Sequence, residues 1–170
     1  RLPAGAVLPH VQGLRGPLSC LSEARLGIVF GSLGAARDCL ERATAHVKER
    51  RQFGQALADF QATQFKLADM ATELEAARLM VWRAAAMLDR GDSEATTACA
   101  MAKRFATDVG FTVCNEALQI HGGYGYIREY PLERYLRDAR VHQILEGTNE
   151  IMRVIVARRL LEKADLEIPR

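Results

Sequence analysis

A short segment in the last third of the sequence combines a carboxylate with residues that could bury it. Glu146 follows Ile144 and Leu145, and Gly147 and Thr148 come directly after it. Burial among apolar neighbours raises the pKa of a carboxyl group, because desolvation disfavours the charged form, and such a carboxylate can serve as a general base. The same pattern also fits a solvated loop glutamate beside the positive end of a helix.

Glycines and aromatic residues alternate in a second segment, from Gln119 to Tyr126. Glycines let a backbone approach a ligand closely and present its N–H groups, and tyrosine rings offer flat surfaces. A helix C-cap followed by a tight turn explains the same residues equally well.

A third segment places Arg50, Arg51 and Phe53 beside Gly54. A guanidinium group can bind a phosphate through two hydrogen bonds and a phenyl ring can stack on a planar ring, so the group suits a nucleotide. Arginines at a helix C-terminus can also simply satisfy the last carbonyl groups.

Long helices must position these segments. Apolar residues recur at helical spacing in four stretches: from Ser22 to about Arg51, from Asp59 to Gly91, from Asp92–Ser93 to Gly122, and onward from Thr148 or Asn149. Helices of this length joined by short turns predict an all-α, antiparallel four-helix bundle. The last helix is expected to bear the apolar residues Ile151, Val154, Ile155, Leu160 and Leu161. The first twenty residues are rich in proline and glycine, which predicts strand and loop there, including a piece at 6–8.

Three glycines fall inside the first predicted helix. Gly27, Gly31 and Gly34 each cost about 1 kcal/mol relative to alanine in a helix. We therefore expect another backbone or a ligand to pack unusually close to this helix.

Composition excludes several classes of protein. The chain has 170 residues, is 49% hydrophobic, and carries 23 Lys+Arg against 21 Asp+Glu, which predicts one globular domain with a substantial core. The sequence has no dense run of Lys and Arg, which argues against nucleic-acid binding. The longest uncharged stretch, 2–14, is too short to cross a membrane. The chain opens with Arg1 and shows no signal peptide, so we expect a piece of a longer protein.

The four cysteines are widely scattered and lack metal-ligand spacing. We therefore expect no metal site, and we interpret the cysteines as reduced, mostly buried thiols of an intracellular protein, in the cytoplasm or the mitochondrial matrix.

Five blocks, in this order, resemble the C-terminal part of the acyl-CoA dehydrogenase flavoproteins, and the resemblance covers the chain from Leu18 onward. The blocks are 49–54, 67–70, 119–126, 135–140 and 145–151. The resemblance implies a homotetrameric FAD enzyme that oxidises an acyl-CoA to its trans-2-enoyl-CoA and passes electrons to an electron-transfer flavoprotein. It also implies that residues 1–20 are the tail of a middle β domain and 21–170 the C-terminal helical domain, and that the isolated chain binds flavin weakly and is inactive.

Family positions assign roles to individual residues. Glu146 matches the catalytic base; some relatives place the base directly before the arginine that matches Arg25, but Ala24 stands there in this chain. The residues that match FAD contacts are Arg50, Phe53, Gln61, Gln119, Ile120, His121, Gly122, Gly123, Thr148 and Glu150. Those that match the acyl-CoA site are Leu21, Ser22, Arg25 and Gly147. Many members carry Gln at position 150 and Asp at position 22.

The acyl chain of the substrate and the class of function stay open from the sequence alone. Residues 141–147 resemble isobutyryl-type and other short branched-chain members, whereas 16–21 resemble glutaryl-type members, so a short or branched acyl chain is expected. Two alternatives remain: an acyl-CoA oxidase, in which oxygen reaches the reduced flavin, and a non-catalytic helical module that serves only for oligomerisation.

Overall fold

The computed structural model describes residues 1–6 and 9–167, and its regular elements are helical apart from one short hairpin. A 3₁₀ turn at Ala4–Ala6 precedes them, and another at Leu57–Asp59 follows the hairpin. The elements in chain order are α1 (Arg15–Glu49), β1 (Arg51–Gln52), β2 (Gln55–Ala56), α2 (Gln61–Asp89), α3 (Ala95–His121), α4 (Gly123–Tyr126), α5 (Leu132–His142) and α6 (Asn149–Glu167).

Helix α3 forms the centre of the bundle, with α1 and α2 packed against it and against each other. Its buried face recurs at helical spacing, as the sequence predicted, because small residues on that face let three helices approach closely. The fully buried members of this face include Ala102, Ala106, Val113, Cys114 and Ala117. The predicted all-α bundle is confirmed.

Helices α5 and α6 both pack against α3, one after the other along its length. Gln143, just after α5, and Asn149, at the start of α6, both hydrogen-bond to Asp108 in the middle of α3. Further along α6, Arg159 forms an ion pair with Glu94, just before α3, at 2.6 Å. The α5–α6 loop therefore lies halfway along α3, and α6 runs antiparallel to it.

The connection between α1 and α2 is a tight hairpin that the sequence analysis missed. Arg51 pairs with Ala56 and Gln52 with Gln55, and the two turn residues Phe53 and Gly54 have φ of +53° and +84°. Two consecutive positive φ values are typical of the type I′ turn that joins antiparallel strands.

Two local predictions were wrong, and two others stay untested. Helix α1 begins at Arg15 and not at Ser22, because Pro17 lies in the first turn, where a helix tolerates proline. No helix was predicted between the third and fourth helical stretches, yet α5 lies there, with Leu132 and Ala139 as its buried residues. The predicted strand piece at 6–8 includes residues that the structure does not describe, and the division of the chain at residue 20 stays a prediction.

The predicted last helix is present as α6, and most of its apolar residues are exposed in this chain. The fully buried residue is Met152, whereas Ile151, Val154, Leu160 and Leu161 are 40–68% exposed. In the isolated chain, therefore, most of the predicted apolar face of this helix is not buried.

Helix α1 packs closely on another helix at a glycine of α3 and not at its own three glycines. A Cβ on Gly110 would overlap the Ser32 hydroxyl oxygen and lie 3.3 Å from the Ser32 carbonyl oxygen. By contrast, a Cβ on Gly27 or Gly34 would meet nothing within 4 Å, and one on Gly31 would make an ordinary 3.8 Å contact with His142. Within the described residues of this chain, therefore, no backbone packs closely on the α1 glycines, and Gly110 makes such a contact instead; that a ligand lies beside the α1 glycines stays a prediction.

Three of the four thiols are buried, as predicted: Cys39, Cys99 and Cys114 lie in the core, and Cys20 is exposed. Within the described ranges, no helix is long and apolar enough to cross a membrane. Nor does that part of the chain gather three or more His, Cys, Asp or Glu side chains in a geometry that could hold a metal ion.

Candidate active site

Glu146 lies in the α5–α6 loop, in a backbone conformation that non-glycine residues rarely adopt. Its φ is +56°, and that of Gly147 is +90°. A left-handed non-glycine residue costs on the order of 1–3 kcal/mol and persists only where surrounding contacts fix it. A Cβ on Gly147 would lie 2.9 Å from the Met152 methyl carbon, so both conformation and space require glycine there.

Two buried cations bind successive carbonyl groups of this loop. Arg25 Nε on α1 donates a hydrogen bond to the Glu146 carbonyl oxygen at 3.0 Å, and Lys103 Nζ on α3 donates one to the Gly147 carbonyl oxygen at 2.9 Å. Arg25 is 6% exposed and Lys103 is 0% exposed. Hydrogen bonds from charged donors contribute about 1.5–3 kcal/mol each. Two helices thus hold the Glu146–Gly147 backbone, and Glu146 itself is half-buried.

The two ends of the loop are tied to α3 by a second set of contacts. Asp108 Oδ1 accepts hydrogen bonds from Gln143 Nε2 at 2.8 Å and from Asn149 Nδ2 at 2.7 Å. The Asn149 N–H donates to the Gln143 carbonyl oxygen at 3.0 Å, which closes the loop on itself. Asn149 Oδ1 also accepts from Lys103 Nζ at 2.8 Å.

Burial disfavours the charged, protonated forms of Arg25 and Lys103 and so lowers the pKa of both side chains. It lowers the pKa of Arg25, and the nearby charge of Glu146 opposes that effect. It lowers the pKa of Lys103 to about 8, with Asp108, Glu146 and Glu150 favouring the charged form and Arg25 disfavouring it. An arginine stays protonated in proteins, so Lys103 is the cation of this pair that titrates near neutral pH.

The lowered pKa of Lys103 predicts that the free energy of unfolding depends on pH. An unfolded lysine has a pKa of about 10.4, so between pH 8 and that value the unfolded chain binds more protons than the folded one, and stability rises with pH. Relative to Lys103→Met, the free energy of unfolding of the parent should therefore increase from pH 8 to pH 10. Urea denaturation of both proteins at pH 7, 8, 9 and 10 measures the difference. A difference that stays constant with pH would contradict the prediction.

A second set of residues meets at the other end of α1. The His46 and His121 rings stack with centroids 4.2 Å apart and planes at 22°. The Arg50 guanidinium carbon lies 5.8 Å from the centroid of the Tyr124 ring. Burial lowers the pKa of His46, and the neighbouring His121 and Arg50 lower it further, so the neutral imidazole is favoured.

These residues line a surface pocket of about 430 Å³ that also includes Ile120, Gly122 and Gly123. The structure therefore brings Arg50 together with most of the Gln119–Gly123 segment, although 69 residues separate Arg50 from Gln119 in the sequence. Gln119 itself is exposed at the end of α3. A guanidinium group, exposed glycine backbone and flat rings suit a ligand that carries phosphate groups and a planar ring.

Two other expected flavin contacts lie near the hairpin but not in the lining of this pocket. Phe53 is at the hairpin tip, 93% exposed, with its ring edge-on to Phe60 at 6.4 Å. Gln61 follows Phe60 as the exposed first residue of α2. Both side chains are accessible to a molecule outside the chain.

The remaining predicted residues lie around the Glu146 loop. Thr148 Oγ1 accepts a hydrogen bond from the Ile151 N–H at 3.4 Å. Glu150 is exposed, and its own backbone N–H, followed by the Thr148 hydroxyl, lowers its pKa. Leu21 is half-buried on α1, one turn before Arg25, and the Ser22 side chain lies outside the described residues.

Sequence reasoning missed the residues that support the loop: Lys103, Asp108, Gln143 and the side-chain role of Asn149. A signal for Lys103 was present, because it lies one turn after Cys99, on a face of α3 that is otherwise small and apolar. A charged residue on such a face is uncommon unless it has buried partners.

Comparison with known proteins identifies the family of the chain. The family model described as acyl-CoA dehydrogenase, C-terminal domain, matches residues 11–161. The chain is 51% identical over 161 residues to the mitochondrial isobutyryl-CoA dehydrogenase of Dictyostelium discoideum, covering 94% of this chain and 39% of that protein. It is 45% identical over 152 residues to subunit CarC of the caffeyl-CoA reductase–Etf complex of Acetobacterium woodii, covering 89% of this chain and 40% of that protein.

A solved structure shows the same fold. The crystal structure of glutaryl-CoA dehydrogenase from Mycobacterium smegmatis superposes with a TM-score of 0.88 at 38% identity, over 94% of this chain and 41% of that one. A helical bundle with a carboxylate on a cation-anchored loop thus defines the class of protein, and the chain belongs to the acyl-CoA dehydrogenase family. The part of that family it represents is the C-terminal domain, and the chain spans about two fifths of the length of the curated relatives it matches.

Proposed function

We propose that this chain supplies the catalytic base and part of the flavin site of an acyl-CoA dehydrogenase. The observation that carries the proposal is the Glu146 loop, in which a carboxylate follows apolar residues and its backbone is held by Arg25 and Lys103. A carboxylate fixed in this way has the placement that a general base needs, because proton transfer depends first on geometry.

In the proposed reaction, the Glu146 carboxylate removes the proton from the α-carbon of the thioester. When bound, FAD supplies the acceptor for the hydride that leaves the β-carbon, so that a double bond forms between the two carbons. Arg25 binds the backbone carbonyl of Glu146, and Gly147 permits the left-handed turn that follows it.

The residues of the Arg50 pocket, at the other end of α1, fit the phosphate groups and a planar ring of FAD. Arg50 offers a phosphate ligand, Gly122 and Gly123 allow close backbone approach, and Phe53 exposes an aromatic ring. Gln61, Gln119, Ile120, His121, Thr148 and Glu150 are proposed as further contacts on the strength of their family positions.

The spacing of the two sites supports a flavin shared between subunits. Arg25 and Glu49 lie 24 residues apart on α1, which at 1.5 Å per residue is about 36 Å. A single extended dinucleotide is shorter than this. We therefore infer that the Glu146 loop and the Arg50 pocket serve different flavins, and that each flavin is held by two copies of the chain in a homo-oligomer, proposed as a tetramer.

Mixed oligomers test the sharing. Glu146→Gln and Arg50→Gln subunits each lack one half of the site, so either variant alone should turn over slowly. Co-expressed with different tags and purified as mixed oligomers, they form some sites with an intact Glu146 from one subunit and an intact Arg50 from the other. Activity should then rise well above that of either variant. Activity no greater than the average of the two variants would refute sharing.

For the substrate we propose a short or branched acyl-CoA. Leu145 precedes the base, and the similarity to an isobutyryl-CoA dehydrogenase supports a small acyl group. An electron-transfer flavoprotein is the proposed electron acceptor, supported by the similarity to a subunit of a reductase–Etf complex.

The direct experiment uses the whole protein that contains this chain. Purified protein should show the visible absorption band of flavin, and anaerobic isobutyryl-CoA should bleach that band and yield the enoyl-CoA. Electrons should then pass to an electron-transfer flavoprotein; formation of peroxide in air at the same rate would instead identify an oxidase. Absence of any flavin would refute the proposal and favour an oligomerisation module.

A further inference from the structure

One charged side chain in the core has a placement that bundle stability alone does not explain. Lys103 is 0% exposed and lies on the face of α3 that packs into the bundle, near Cys99 and Ala106. Taking an ammonium group out of water costs several kcal/mol, so a buried lysine needs strong partners. Its hydrogen-bond partners are a backbone carbonyl and an amide oxygen, of Gly147 and Asn149, and both belong to the loop that carries Glu146.

The carbonyl that Lys103 binds is the one directly after Glu146. Arg25 binds the Glu146 carbonyl from α1, and Lys103 binds the Gly147 carbonyl from α3. Two anchors on successive carbonyl groups, approaching from two different helices, fix the orientation of both peptide planes. With one anchor removed, the chain could rotate at Gly147 and release the positive φ of Glu146.

The other contacts of the loop do not replace this anchor. Asp108 binds Gln143 and Asn149, which are the two ends of the loop, and the bond between the Asn149 N–H and the Gln143 carbonyl closes it. These contacts keep the loop on α3 but leave the peptide between Glu146 and Thr148 free to turn.

We propose that Lys103 is a positioning residue, whose ammonium group holds the Gly147 carbonyl and thereby directs the Glu146 carboxylate toward the thioester. The inference rests on the proposed function of Glu146. Lys103 acts through the loop backbone and does not itself contact the reacting atoms.

The test is Lys103→Met in the whole, flavin-loaded protein. Methionine fills a similar volume but cannot donate, so the Gly147 carbonyl loses its partner. We expect kcat to fall about 10²-fold, the effect of misplacing a catalytic group by about 1 Å. The flavin content should stay within twofold of the parent, because most of the expected flavin contacts lie in the Arg50 pocket and not on the Glu146 loop.

A second readout does not depend on catalysis. In flavin-free protein, hydrogen–deuterium exchange should become at least tenfold faster in peptides covering residues 143–152, and should not change in peptides from α2. The matched control is Ser32→Ala, which removes another 0% exposed polar group, one that donates to the Ala106 carbonyl oxygen and does not touch the loop. This control should leave kcat and the exchange of 143–152 near the parent values.

Three results would overturn the inference: a kcat of Lys103→Met within threefold of the parent, faster exchange spread evenly over the bundle, or a loss of bound flavin that accounts for the lower rate. Glu146→Gln measured alongside separates this inference from the proposed function. If Glu146→Gln turns over like the parent, the proposed function fails, whereas exchange in the flavin-free protein still shows whether Lys103 holds the loop.

Discussion

Replacing Glu146 with glutamine in the whole protein should slow the reduction of bound flavin by acyl-CoA about 10²–10⁴-fold, the range over which general bases contribute to rates. Glutamine has nearly the same shape and leaves the carbonyl bond from Arg25 intact, so the loop geometry should persist. What the variant loses is the group that accepts the α-proton. Stopped-flow absorbance at the visible flavin band measures the rate directly.

The control for this substitution is Glu129→Gln, which neutralises an exposed carboxylate between α4 and α5. It should reduce its flavin at the parent rate. If Glu146→Gln also bleaches as fast as the parent, Glu146 is not the base, and the search for a base should begin elsewhere in the whole protein.

Gly110→Ala should destabilise the fold by about 1–3 kcal/mol, the usual range for overpacking a core. The new methyl group overlaps the Ser32 hydroxyl and lies 3.3 Å from the Ser32 carbonyl, which cannot move without shifting α1. The loss should exceed the gain of about 1 kcal/mol that alanine brings over glycine in a helix. Urea denaturation measures the change.

Two further variants check the cause. Gly34→Ala adds the same methyl group to α1, where a Cβ meets nothing within 4 Å, and it should stabilise the protein slightly. Ser32→Ala combined with Gly110→Ala removes the overlapping hydroxyl and should recover much of the loss, with a coupling of about 0.5–3 kcal/mol in the double-mutant cycle. Strict additivity would show that the Ser32 contact is not responsible.

The predictable part of the fold was the part with clear periodicity. The positions Met70, Ala77 and Val81 on α2, and the small apolar face of α3, repeat at helical spacing because one side of each helix is buried. Helix α5 escaped notice because it is short and seven of its eleven residues are charged or polar; burial of Leu132 and Ala139 holds it in place.

Those parts of the candidate site were predictable in which a reactive or ligand-binding side chain stands beside a glycine. Glu146–Gly147 and Gly122–Gly123 stand out because glycines mark unusual backbone, and the structure confirms positive φ at three of these four residues. The support of the loop was not predictable in the same way. Lys103 is 43 residues from Glu146 in the sequence, and its partners are a backbone carbonyl and an amide, which carry no sequence signature of their own.

The placement of the Glu146 loop between α5 and α6 has a consequence for protein synthesis. Asn149, which anchors the far end of the loop, is the first residue of α6, and Met152 behind it packs against the glycine turn. A chain whose synthesis stops before α6 would therefore keep the Arg25 and Lys103 contacts of the loop but lack the Asn149 contacts that tie its far end to α3.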